Sequence, residues 1–99
     1  MSKWILCQDG MIAVPEVELD RIFIKPPVET GDEDFGWHIC GRSDVGALIN
    51  ISTLGKFESE EGAKFALGVL LESLAECDGV YYAKVIDNDA AEESRRPVL

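Results

Sequence analysis

The sequence predicts an α+β fold in which an antiparallel sheet of about five or six strands carries one amphipathic helix packed on one face. Three observations predict it. An Asp9-Gly10 pair sits between two apolar runs, short β-rich segments recur along the chain, and one capped apolar stripe of helical period begins near Ser59. With 99 residues the chain suits one hydrophobic core, so residues 1–87 read as one domain and residues 88–99 as a flexible C-terminal tail.

Ile5 to Gln8 and Met11 to Val14 flank Asp9-Gly10, the strongest short hairpin signal, because both residues of the tight turn must accept φ > 0. Pro15 ends the second strand. Arg21 to Lys25 reads as a third, stopped by Pro26-Pro27, and the acidic stretch Val28 to Asp34 as a solvated loop. From Phe35 the alternation resumes, with Phe35, Trp37 and Ile39 on the core side and His38, Cys40 and Arg42 on the other. Arg42-Ser43-Asp44, between Gly41 and Gly46, reads as a turn. A fifth strand follows, in which Ala47, Ile49 and Ile51 alternate with Leu48, Asn50 and Ser52 before a break at Gly55.

Ser59 can cap the helix, and Glu60 and Glu61 fall in the first turn, where the helix dipole favours negative charge. Ala63, Ala66, Leu67, Leu70, Leu71 and Leu74 recur at spacings of three and four; Phe65 and Val69 widen the stripe. Gly62 and Gly68 weaken the helix unless they allow close approach of a neighbour. Asp78-Gly79 supplies the stop after Cys77, and Val80 to Ile86 reads as a sixth strand.

The succession Trp4 to Ile12, Leu19 to Ile22 and Leu54 to Lys64 resembles a set of short proteins common in Gram-positive bacteria and their phages. In that set a Gln-Asp-Gly hairpin opens the chain and a Leu-Gly-x-aromatic-x-Ser-Glu-Glu-x-Ala element opens the helix. The resemblance covers roughly residues 3 to 76. It implies a small sheet covered by one helix and carries over no catalytic residue.

A net charge of −10 disfavours nucleic acid and anionic membrane surfaces as partners. No apolar run approaches the roughly 20 residues of a membrane span, and no secretory cleavage site follows the N-terminal apolar run. The expected location is the cytoplasm. Cys7, Cys40 and Cys77, odd in number and widely spaced, make a poor disulfide framework.

His38 and Cys40 are one residue apart, so a strand points both to one face, as two ligands of a soft metal would be. No CxxC or HxxxH spacing supplies the other ligands, and the plain reading is a sheet face with no metal and no cofactor. Cys77 lies at the wrong end of its helix to be activated, beside Glu76 and Asp78. Asp32-Glu33-Asp34 lacks the pattern of a calcium loop. Gly55-Lys56 lacks the upstream glycine and following hydroxyl residue of a phosphate loop.

With no catalytic constellation, the chain reads as a non-enzymatic interaction module that self-associates. The alternative is an acidic nucleic-acid mimic that inhibits a basic protein of a phage or its host. One helix covers one face of a sheet, and the last strand is apolar on both sides. Tyr81, Tyr82 and Val85 are therefore the expected contacts of a homodimer.

Overall fold

A computed structural model describes residues 3–45, 48–76 and 81–95. The strands are β1 (Lys3–Leu6), β2 (Ala13–Pro15), β3 (Arg21–Lys25), β4 (Trp37–Val45), β5 (Leu48–Phe57) and β6 (Tyr81–Lys84). The helices are α1 (Pro27–Thr30), α2 (Glu60–Glu76) and α3 (Asn88–Arg95), with a 3-10 turn at Glu16–Glu18. The α+β class holds, but the expected single sheet does not. The strands form two three-stranded sheets, ordered β2-β1-β6 and β3-β4-β5. The first is mixed, since β6 runs parallel to β1 with Trp4 opposite Tyr82.

The two sheets meet at Gln8. Its backbone N–H donates to the Leu54 carbonyl at 2.8 Å where β1 meets β5, and no further ladder joins the two sheets among the described residues. At the same place β5 carries an irregularity. Ile39 pairs with Gly55 and Cys40 with Thr53, so Leu54 is the extra residue, turned into the core at 1 % exposure. The expected break at Gly55 is therefore a bulge, and the strand continues to Phe57.

The first hairpin forms where expected, with Ile5 opposite Val14, but around a wider turn. In this turn Gly10 alone takes a positive φ, at 73°, which excludes the tight two-residue form. Instead Gly10 N–H donates to the Cys7 carbonyl, Cys7 N–H to that of Ile12, and the Asp9 carboxylate accepts from Met11 N–H. β3 matches its expected bounds. Pro27 opens α1 and Gly31 closes it at φ 74°, inside the stretch read as loop.

α2 begins where the cap predicts, with Gly62 N–H donating to Ser59 Oγ at 3.0 Å. Ala63, Ala66, Leu70 and Leu74 are buried against Ile5, Ile39, Leu54, Phe57, Ala83 and Val85. This single stripe seals both sheets, because β1 and β6 contribute to the same core as β4 and β5. At the other end of α2, Lys3 Nζ donates to the Leu74 carbonyl at 2.6 Å, a cation at the negative pole of the helix. Leu71 and Phe65, counted in the stripe, lie half exposed on its outer side.

Three further expectations are corrected. Arg42 to Asp44 is strand, because β4 runs on to Val45; Gly46 and Ala47 lie outside the described residues. Residues 88–95 are not tail. They form α3, whose Ala91 is wholly buried against α2 and whose Glu92 accepts a hydrogen bond from Ser59 Oγ. Val85, expected in a dimer contact, is wholly buried in the core, packed where Gly55 leaves no Cβ. The Tyr81 and Tyr82 side chains lie outside the described residues, as do the expected helix end at Cys77 and the Asp78-Gly79 stop.

Candidate functional site

Gln8, Gly55 and Gly62 each meet residues distant in the chain. Gln8 Nε2 donates to the carbonyls of Lys56 and Ile86, each at 3.1 Å, while Gln8 Oε1 accepts from Lys56 N–H at 2.9 Å. One side chain thus ties the end of β1 to β5 and to the segment after β6. Gly55 lies beneath Val85, where a Cβ would stand 2.8 Å from Val85 Cγ1. Gly62 lies beneath Glu92, where a Cβ would come within 2.6 Å of the carboxylate. Their positions explain the two glycines by close approach, the second of them to α3 rather than to a sheet.

Around this junction opens a groove of ≈ 460 Å³ lined by Gln8, Asp9, Phe35, Lys56, Asp87, Asn88 and Asp89. Phe35 was expected on the core side of β4. It instead sits before the strand, 40 % exposed, on a turn held by Asp32, whose Oδ1 accepts from the N–H groups of Asp34 and Phe35 at 3.0 Å each. Those two bonds, helped by the charges of Lys56 and His38, hold the Asp32 carboxyl below its ordinary range.

The register of the second sheet sorts its side chains. Ile22, Ile24, Trp37 and Ile39 pack with the α2 core. The opposite face carries three cross-strand rows: Lys25, His38 and Lys56; Phe23, Cys40 and Thr53; Arg21, Arg42 and Ile51. Asp44 and Ile49 continue it toward the hairpin tip. Four of the nine Lys and Arg residues of the chain, and its one histidine, therefore share a single sheet face. α2 lies on the other side. No sequence motif marks this clustering, because the residues are scattered from 21 to 56 and only the strand pairing assembles them.

His38 and Cys40 do share a face, as alternation requires, yet among the described residues no group of three or more potential metal ligands gathers. Burial pushes the Cys40 thiol up, against the opposing pull of Lys25 and of a hydrogen bond with Thr53. Burial, then the charge of Asp9, does the same to Cys7. Neither thiol is primed as a nucleophile. His38 Nε2 is 3.8 Å from Asp32 Oδ2, and an Arg42 Nη nitrogen is 3.6 Å from Asp44 Oδ2.

The distal half of the β4–β5 hairpin is uncovered on both sides. Leu48 is 69 %, Ile49 57 % and Ile51 52 % exposed. Ile49 and Ile51 make this end of the helix-free face apolar, and Leu48, on the other face, is uncovered as well. No helix of the described residues is long and apolar enough to cross a membrane. No family model, curated protein or solved structure matches the chain.

Proposed function

We propose that this chain is a non-enzymatic interaction module that associates with itself through the β4–β5 hairpin. The observation that carries the reading is the exposure of Leu48, Ile49 and Ile51 on an arm with both faces open. Surface of that kind on one projecting element is characteristic of contact sites. Two properties of the arm favour a second copy. The strand from Leu48 to Thr53 holds no charged residue, and the one carboxylate beside it on this face, Asp44, lies 3.6 Å from Arg42, so two molecules of net charge −10 meet there with little opposing charge. The strand is also self-complementary, since an antiparallel contact centred on Asn50 sets Ile49 of each copy against Ile51 of the other. β5 is an edge strand, and an uncharged edge is an open template for pairing.

Sedimentation velocity across a micromolar concentration series tests the proposal on the wild-type chain and on Ile49→Ser/Ile51→Ser. The expected result is a dimer that forms with concentration in the wild type and is lost in the variant, with equal urea midpoints at concentrations where both are monomeric. A wild-type chain that stays monomeric throughout, or a variant that dimerises equally well, would overturn it.

A further inference from the structure

We propose that the helix-free face of the β3-β4-β5 sheet is a docking surface for an acidic, extended segment of another protein. The first support is charge. Arg21, Lys25, Arg42 and Lys56 stand on this face beside His38, whereas the whole chain carries 19 acidic residues against nine Lys and Arg. In a molecule of this charge a basic face forms only where pairing brings cations together. The second support is unmet bonding. Among the described residues two buried side-chain nitrogens have no hydrogen-bond partner, His38 Nε2 and Arg42 Nε, and both belong to this face. Buried side-chain nitrogens without partners are uncommon, and a rotation of the ring or the guanidinium toward the open face would let an incoming carboxylate satisfy them.

Geometry selects the occupant. The row of Lys25, His38 and Lys56 and the row of Arg21 and Arg42 are separated by four residues of β4, about 13 Å in an extended strand. An extended peptide repeats the same spacing, so carboxylates four residues apart would each meet one row. The rim argues against a nucleic-acid strand. Asp32 and Asp44 flank the two rows, and Asp44 N–H is itself anchored by the Asp20 carboxylate. A phosphate backbone, charged at every residue, would run over those carboxylates; a peptide can place neutral residues there. Phe23, Cys40 and Thr53 stand between the two rows and carry no charge.

The test uses fluorescence anisotropy of a labelled Ser/Thr peptide of about twelve residues with Glu at every fourth position, the repeat set by strand geometry. Binding to the full chain is expected, weakening as salt rises toward about 0.3 M. Lys25→Gln/Lys56→Gln and Arg21→Gln/Arg42→Gln should each lower affinity about fivefold, whereas Lys64→Gln on α2 should not. The lysine pair keeps the test valid should the arginine pair fail to fold. No binding of the spaced peptide, equal binding of an isomer with its Glu residues adjacent, or tighter binding of single-stranded oligothymidylate would each overturn the assignment. Loss of self-association in the lysine pair but not in Ile49→Ser/Ile51→Ser would make a second copy the occupant, and would overturn it too.

Discussion

Every hydrogen-bonding position that the Gln8 side chain uses is occupied by main chain from a different part of the molecule. That makes the residue sensitive to chemistry rather than to size. Gln8→Ala leaves the Lys56 and Ile86 carbonyls and the Lys56 N–H to find water, at an expected cost of about 1 to 3 kcal/mol. Gln8→Glu keeps the volume but points a carboxylate at two carbonyl oxygens, and is expected to cost more than the alanine. Urea midpoints at constant m-value measure both, and a glutamate as stable as wild type would rule out the clamp. Asp32 acts through its titration. Its folded pKa lies below the ordinary value because the Phe35 and Asp34 N–H groups, then the Lys56 and His38 charges, favour the carboxylate. A depressed carboxyl contributes stability above its unfolded pKa of about 3.9, and that contribution is lost as pH falls through the folded value. Asp32→Ala should therefore flatten the acid limb of the stability profile, followed by fluorescence below about pH 4.

α2 is the element on which both sheets depend. Leu70 is wholly buried within the shared core, so Leu70→Ala should cost about 2 to 5 kcal/mol, read from chemical denaturation. A loss under half of about 1 kcal/mol would show that the stripe does not face both sheets. The N-terminal end of α2 is completed from a distance, by Asn88 and Glu92 of α3. Asn88 Oδ1 accepts from Glu58 N–H at 2.9 Å, and Glu92 takes the Ser59 hydroxyl proton's bond while Ser59 Oγ caps Gly62 N–H. A chain ending at Asp87 should thus melt lower than the full chain in calorimetry, whereas a fraying tail would leave the transition unmoved.

At the scale of the whole molecule, charge distinguishes the two proposed contacts, which adjoin on one sheet face. β5 from Leu48 to Thr53 is uncharged on a body of −10, so contact between copies works against long-range repulsion. Salt screens that repulsion, and self-association should strengthen as ionic strength rises from about 0.02 to 0.3 M. The basic sheet face attracts anions, and its binding should weaken over the same range. Opposite salt slopes, measured by sedimentation and anisotropy on one preparation, are the expected signature. Parallel slopes would mean that both events use the same contact.

What the sequence determined by itself was local: the first hairpin, β3 between Asp20 and Pro26, the start of α2 at its Ser59 cap, and the stripe from Ala63 to Leu74. Each is written in spacing or turn chemistry over a few residues, where short-range sterics and capping decide the outcome. Tertiary structure decided the rest. The strands form two sheets that meet where Gln8 N–H donates to the Leu54 carbonyl beside the bulge in β5, a contact between residues far apart in the chain. The polar run after Asp87 becomes helix because Ala91 and Glu92 find a partner in α2, although isolated helices this short are marginal in water. Val85 moved from expected interface to core for a similar reason: β6 joined β1 in parallel and brought it over Gly55. The basic face was equally illegible, since Arg21, Lys25, His38, Arg42 and Lys56 become neighbours only through strand register. Register is set by the buried side of the sheet, so the pattern that organised the core also placed the charges that the core never touches.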